Sequence, residues 1–451
     1  MQAMIGEQVN TTVAERLESI RKALWSWAMC TSPLRPIRMT RGDWVYIAAI
    51  YLLSRATIVI IGLAGSAMLP SVSPSHAWVL QPITWQTLSR WPNLFAHFDS
   101  GWYIQISHGY PKLVAGNSEP LRTWGFLPGY PIALHVVAII LTVIHSPGPV
   151  DVVAGTLVSY AASFGAAVYL YLLVGAELDR AAARRAVTYL LVFPTSLFLS
   201  SVYPEGLLLL ATTGAFYHAR RRQWLPAGLL SAVAVITHTE GVLALAPVTL
   251  EFVAYYSQAG GWRQWGFLKL SWLLGPPVAA LGAYALYSHS YTGYWLAFAT
   301  SQNVVWGHHL SPPIYPFIGF LLHPGIGSAF DFDFHLLNIS IALLALVLTV
   351  VAFRRLPPSY GLAILLGVLL PLSTDGSHTH SLARHVGSLF ALFVVLAAWS
   401  LRERWSPSGE VPHSPASASE LEIRDRVVLL PSLLMLALFT LLFTAGVWAA
   451  I

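Results

Sequence analysis

The chain has 451 residues, of which 56% are hydrophobic and 10% charged, against about 25% charged in soluble domains. Its mean hydropathy is +0.62, and the apolar runs do not alternate, which excludes a soluble enzyme and a β-barrel and indicates a polytopic helical membrane protein. The net charge of +5 comes from basic clusters between the apolar runs, the pattern of orientation signals rather than of a nucleic-acid surface.

Residues 1–43 read as a cytoplasmic N-terminal segment. Val13, Leu17, Ile20, Leu24 and Trp27 fall on one helical stripe, suited to an amphipathic helix at the membrane surface. No short apolar core with a small-residue cleavage site marks a signal peptide there. Cys30 is the single cysteine, so neither an internal disulfide nor a cysteine metal cluster is expected.

Arg35, Arg38 and Arg41 precede the first apolar run, 44–69. The positive-inside rule then places the N-terminus in the cytoplasm and the loop 70–125 outside. That loop is long and rich in aromatics, and is expected to be ordered along the membrane interface. Further apolar runs follow at 126–146, 151–175, 184–202, 204–218, 225–238, 241–257, 270–289, 335–353, 359–373, 384–401 and 427–449.

Basic clusters at Arg180, Arg184 and Arg185, at Arg220 to Arg222, at Arg263 and Lys269, at Arg354 and Arg355, and at Arg402 and Arg404 mark the cytoplasmic side. The tract 405–426 reads as a cytoplasmic Pro/Ser-rich linker before a C-terminal helix at 427–451. About 11 crossings are expected for the whole chain, with the transmembrane domain over 44–404. One conflict stands. Asp99 is outside and Arg180 inside, yet two apolar runs lie between them, so either 126–146 and 151–175 do not both cross or the arginines break the charge rule.

The outer face collects the segments 96–111, 194–206, 237–241, 290–334 and 373–384, which hold most of the chemically interesting residues. Asp99, in "AHFDSGWYIQISHGYP", has two readings: a helix N-cap, or a general base that deprotonates an attacking hydroxyl. Glu205, after Tyr203 and Pro204, suits the first turn of a helix but also lies within reach of an outer site. His238 and Glu240, in "THTEGVLAL", mark a helix break or a substrate contact.

Trp102, Tyr103, Trp306, His308 and His309 offer aromatic and imidazole contacts for a sugar or a lipid. Arg384 opens a run at the outer face, either as a headgroup contact or as a grip on a lipid-linked phosphate. His378, His380 and His385 surround it without a ligand spacing that fits a metal. Arg55 lies inside the first run and should face the bundle and have a partner. No phosphate-binding glycine loop, dinucleotide fingerprint or Ser/His/Asp order is present. A donor must therefore reach an outer, membrane-level site, which points to a lipid-linked one.

Four segments, in order, resemble one family. "HFDSGWYIQISHGYP" is similar to the first-loop motif "WDS-x-WY…A-x-x-GY" of the PIG-V-like mannosyltransferases. "WGFLPGYPIALHVV", "FPTSLFLSSVYPEGLLLL" and "SLARHVGSLFALFVVLA" resemble that family's "FFPLYPLLLR", "SPASIFLSALYSESLF" and "S-x-x-RY…FP-x-F-x-x-LA". The family includes the enzyme that adds the second mannose of the glycosylphosphatidylinositol anchor. It belongs to the GT-C superfamily of polytopic glycosyltransferases, whose members use polyprenyl- or dolichyl-phosphate sugars on the non-cytoplasmic face.

The resemblance implies an all-α GT-C-type bundle with a long structured first outer loop. It implies mannose transfer from polyprenyl-phosphate mannose to a glycolipid or glycan hydroxyl, with inversion and with Asp99 as the base. Arg384 and Arg55 would meet the donor phosphate. Glu205, Tyr203, His238, Glu240, Trp102, Tyr103, Trp306 and His309 would meet substrate. No cofactor or metal is implied, since the motif carries one acid. Membrane lipids, the donor and the acceptor are the expected partners, nucleic acid is not, and a prokaryotic plasma membrane is the expected location.

The chain departs from the family at Phe98, where a Trp is usual, at His238, where an Arg is usual, and at His385, where a Tyr is usual. Rival readings are the same fold with glucose or arabinose, a lipid-linked-sugar transporter, and a non-catalytic scaffold.

Overall fold

A computed structural model of the chain describes residues 36–68, 93–113, 119–144, 149–259, 266–322, 329–374, 381–401 and 418–446, with Glu18, Lys22, Ser26, Met29, Pro33 and Leu34. The proposed amphipathic stripe at 13–27, Cys30, His378 and His380, residues 70–92 of the first loop, and residues 405–417 of the polar tract lie outside the described residues. Among the described residues the elements are helical, and no β-strand occurs.

The helices are α1 (Arg41–Met68), α2 (Ser100–Ser107), α3 (Glu119–Thr123), α4 (Gly129–Val143), α5 (Val150–Glu177) and α6 (Arg180–Val192). A 3₁₀ turn (Pro194–Leu199) then leads to α7 (Glu205–Arg220), α8 (Trp224–Thr237), α9 (Thr239–Leu243), α10 (Leu245–Ala259) and α11 (Gly266–Thr292). The last are α12 (Ala297–Val304), α13 (Tyr315–Leu322), α14 (Ala329–Arg355), α15 (Pro358–Thr374), α16 (Leu382–Gly387), α17 (Phe390–Ser400) and α18 (Ala418–Thr444). Five segments are long and apolar enough to cross a membrane: Arg41–Ser66, Val150–Glu177, Gly266–Thr292, Leu336–Arg355 and Glu422–Thr444. Helices α4, α8, α15 and α17 are apolar but shorter.

The helix ends gather on two opposite faces. On one, Asp43 at the start of α1 meets Arg180 and Arg184 at the start of α6. There too Arg220, at the end of α7, meets Glu177 at the end of α5. The other face carries Asp99, Glu205, the α8–α9 break and α16, joined by the contacts described below. The clusters at Arg180 and Arg184 and at Arg220 therefore share one face, while Arg263, Arg402 and Arg404 lie outside the described residues.

The conflict between Asp99 and Arg180 resolves through α4. The Tyr130 hydroxyl, in its first turn, lies at hydrogen-bond distance from Gly155 O and Ser159 Oγ, more than a turn inside α5. With 15 residues, α4 is about 22 Å long and runs away from that level. Only α5, of 28 residues, then returns to the basic face. The polar tract also ends earlier than expected, since α18 begins at Ala418. Its Asp425, two turns in, accepts from Arg185 Nε at 2.9 Å and from the Tyr189 hydroxyl, which anchors the start of α18 against α6.

Packing follows the small-residue logic of membrane bundles, in which apolar lipid supplies no drive for helices to associate and close backbone approach does. A Cβ on Gly228 of α8 would stand 2.2 Å from the carbonyl oxygen of Trp272 in α11. Any larger residue would push the two helices apart.

The strongest polar anchor is buried at the basic face. Arg220 is fully buried and donates from Nε and Nη2 to Glu177 and from Nη1 to Glu251. The Tyr360 and Ser359 hydroxyls donate to the same two carboxylates at 2.8 and 2.6 Å. Removing one partner of such a cluster strands buried charge. Arg220→Met is expected to cost about 3–5 kcal/mol, read as a fall in the unfolding temperature of the detergent-solubilised protein. Adding Glu177→Gln and Glu251→Gln to that variant should recover most of the loss, and no recovery would refute the charge account.

Candidate active site

The segment Phe95–Ser107 sets the first acid in place. Phe98 has φ of +54°, a left-handed conformation that costs energy for a bulky residue. Its ring is held by an edge contact with Phe443 of α18 at 5.5 Å. The strained turn hands the chain to α2 with Asp99 at the N-cap position. The Asp99 side chain makes no capping hydrogen bond, however, and its backbone is helical. The cap reading is therefore wrong at the level of the side chain.

The carboxylate turns instead to α16, where Arg384 Nη1 donates to Asp99 Oδ2 at 3.0 Å. The backbone is pinned by Tyr203, whose hydroxyl accepts from Asp99 N and donates to His97 O, both at 3.2 Å.

Arg384 is the centre of the site and is 7% exposed. Besides Asp99 it faces Glu205, with Nε 3.3 Å from Oε1. Its guanidinium lies over the rings of Tyr203 and Phe198 at 5.5 and 5.7 Å. Two acids and two aromatic faces thus offset the cost of burying one cation. Ser381 precedes α16 with φ of +58°, so a second strained residue aims this arginine. Glu205 is the first residue of α7 and is also buried.

A second polar group lies beside the first. His238 adopts an extended conformation (φ −155°, ψ 154°) between α8 and α9. The break requires glycine two residues after Thr239, because a Cβ on Gly241 would lie 2.0 Å from the Ala234 carbonyl oxygen. Glu240 Oε1 lies 2.7 Å from His385 Nδ1, and its Oε2 accepts from the Ser388 hydroxyl at 2.7 Å. Burial pushes the Glu240 carboxyl up, but His385 and the Ser388 bond outweigh it and hold the group below the usual carboxylate range.

Both groups open on a cavity of about 570 Å³, whose lining includes Asp99, Tyr103, His238, Glu240, Arg384 and His385. Its far wall is aromatic and amide: Phe126, Trp306, Gln302 and Asn303. Trp306 Nε1 donates to Arg122 O at 3.2 Å, and Gln302 Nε2 donates to Gly125 O at 2.7 Å, tying α12 to the first loop.

Asp99, Tyr103, His238, Glu240, Trp306 and Arg384 therefore line one cavity. Glu205 and Tyr203 stand behind Arg384 and support it. Trp102 packs on Phe126 and Trp306 at 6.0 and 6.1 Å, one layer behind the wall. His308, not His309, lines the cavity; His309 Nδ1 accepts from Asn303 Nδ2 at 3.0 Å.

Arg55 does not reach the cavity lining. It is held inside the bundle by Ser54, Ser196, Ser200 and the carbonyls of Leu191 and Ser196. Its partners are neutral oxygens of α1, of the end of α6 and of the 3₁₀ turn with its capping Ser200, and it ties these elements together. Sequence reasoning missed Gln302, Asn303 and Ser388, which carry no motif signal on their own.

The model of the Mannosyltransferase (PIG-V) family matches residues 83–319, more than half of the chain. The chain belongs to this family. The match spans the Asp99 turn, Glu205, the His238–Glu240 break and the Trp306 wall, so most of the cavity is built from the PIG-V region.

No curated protein matches the chain. Among solved structures it is similar to the oligosaccharyltransferase AglB of Archaeoglobus fulgidus, described in complex with an inhibitory peptide and a dolichol-phosphate. The identity is 11% and the TM-score 0.41, over 89% of this chain and 56% of that one. It is also similar to apo ArnT of Cupriavidus metallidurans, at 12% identity and a TM-score of 0.43, over 88% of this chain and 76% of that one. The chain thus spans about half the length of the oligosaccharyltransferase.

His97, beside the Asp99 turn, gives the site region a pH signature. Burial pushes its imidazole down from 6.5 to about 4. The unfolded chain binds this proton near pH 6.5 and the folded chain only near 4, so stability present above pH 6.5 is lost as pH falls through that window. The total is about 3 kcal/mol. His97→Phe, which keeps an aromatic against Phe443, is expected to flatten this acid limb. Parallel curves of unfolding temperature against pH for variant and wild type would refute it.

Proposed function

We propose that the protein is an integral membrane mannosyltransferase that takes its sugar from polyprenyl-phosphate mannose and passes it to a hydroxyl of a glycolipid or glycan. The observation that carries this reading is the Asp99–Arg384 pair at 3.0 Å on the wall of a cavity large enough for a sugar. Family membership supplies the reaction class, and the pair supplies an acid for the acceptor and a cation for the donor.

In this reading the acceptor hydroxyl attacks the anomeric carbon from the side opposite the phosphate. Asp99 takes the hydroxyl proton as the new C–O bond forms. The bond from the anomeric carbon to the phosphate oxygen breaks, polyprenyl phosphate departs with the electron pair, and the configuration inverts. Arg384 stabilises the charge growing on that phosphate. Asp99 and Glu205 engage its Nη1 and Nε, and a guanidinium has five N–H donors in all, so contacts remain for phosphate oxygens.

Glu205, Tyr203 and Phe198 fix the plane of the guanidinium. Tyr103, Trp306 and Gln302 are placed to meet the sugars, ring faces against apolar sugar faces and the amide against hydroxyls. The cavity lies on the face opposite the arginine clusters. By the positive-inside rule that face is extracytoplasmic, which suits a lipid-linked donor. A prokaryotic plasma membrane is the location we propose.

Asp99→Asn keeps the shape of the turn and removes the base. Transfer should fall by about 10²–10⁴-fold, the usual worth of a general base, while binding of radiolabelled donor persists. Arg384→Gln should instead weaken donor binding. Full activity of Asp99→Asn sinks the base assignment. Incubating wild type with the mannose, glucose and arabinose forms of the donor identifies the sugar, and transfer of glucose or arabinose in place of mannose would overturn that part of the proposal.

A further inference from the structure

His238, Glu240 and His385 each offer a ligand atom to a common point, with the three atoms all within 4.8 Å of one another. Two features of the cluster are unexplained by hydrogen bonding. His238 Nδ1 is buried with no hydrogen-bond partner among the described residues, and so is Glu240 Oε1. The latter lies only 2.7 Å from His385 Nδ1, yet outside hydrogen-bond geometry. Buried polar atoms without partners carry a free-energy cost that a bound ion removes. We propose that these three residues hold a divalent transition-metal cation of the zinc class.

The donor set favours that class. Two imidazoles and one carboxylate form the three-ligand set of open zinc sites, in which the remaining position is left for water or an oxyanion. Imidazole nitrogen selects against magnesium and calcium, which prefer oxygen.

The surroundings are arranged as an outer shell. Ser388 holds Glu240 Oε2 at 2.7 Å, which leaves Oε1 for the ion, as outer-shell partners do in metal sites. Gly241 lets α9 close on α8 and turns the His238–Glu240 pair toward α16. The rings of His238 and His385 have centroids 5.4 Å apart.

The open position faces the cavity that also exposes Asp99 and Arg384.

The test is metal binding by the full chain, so its failure is distinct from failure of the transferase reading. The protein is purified in detergent through a tag without histidines, stripped with a chelator, and titrated with Zn²⁺ and with Co²⁺ as a spectroscopic probe. One ion per chain is expected, with visible Co²⁺ bands of a four- or five-coordinate nitrogen–oxygen site and a rise in unfolding temperature.

His238→Ala, Glu240→Gln and His385→Ala should each weaken binding by about 100-fold or more, and Ser388→Ala by about 10-fold. Absence of stoichiometric binding by wild type overturns the proposal irrespective of how the variants fold. So does unchanged affinity in a His238→Ala/His385→Ala protein. In either case the cluster is an ion pair and nothing more.

Discussion

The charge of Arg384, buried in an apolar bundle, is the constraint on which the rest of the site depends. A lone guanidinium there would be unstable, and this one is made tolerable by Asp99 from the first loop, Glu205 from α7 and the faces of Tyr203 and Phe198. The partners come from two distant parts of the chain, Asp99 and the stretch 198–205. Satisfying the arginine therefore assembles the site, because the loop, the 3₁₀ turn and α16 must meet for the charge to be paired. Tyr203 adds a second tie through the backbone on either side of Phe98.

A matching constraint lies at the opposite face. Arg220 is paired with Glu177 and Glu251, and α7 connects the two centres, with Glu205 as its first residue and Arg220 as its last. Its 16 residues span about 24 Å, less than the hydrocarbon thickness of about 30 Å. The bundle needs both ion clusters because membrane helices pack without a hydrophobic drive; buried charge supplies specific, non-interchangeable contacts.

Two of the positions at which the chain departs from its family, His238 and His385, lie far apart in sequence and within one ring contact in space. Each replaces a residue usual in the family, an arginine and a tyrosine, by histidine. Together with Glu240 they form a new group. Phe98, the third departure, has a different explanation, since its ring fills an aromatic pocket against Phe443 and His97 that carries the strained turn.

The apolar runs and the four ordered motifs were sufficient to indicate a helical membrane protein and its family. These signals are local: hydropathy over one span and residue types within one short segment. Asp99 and Arg384 were legible for the same reason, each standing in its own motif.

The sequence left open which of the two runs before Arg180 crosses, whether Asp99 caps or faces the cavity, and where Arg55 points. Those depend on packing between segments far apart in the chain. Tyr130 set the level of α4 by reaching Gly155 and Ser159 of α5, Arg384 drew Asp99 away from the cap, and the carbonyls and hydroxyls of the 3₁₀ turn captured Arg55. A buried polar group takes whichever partner the fold brings within about 3 Å, and only the tertiary structure decides which partner that is.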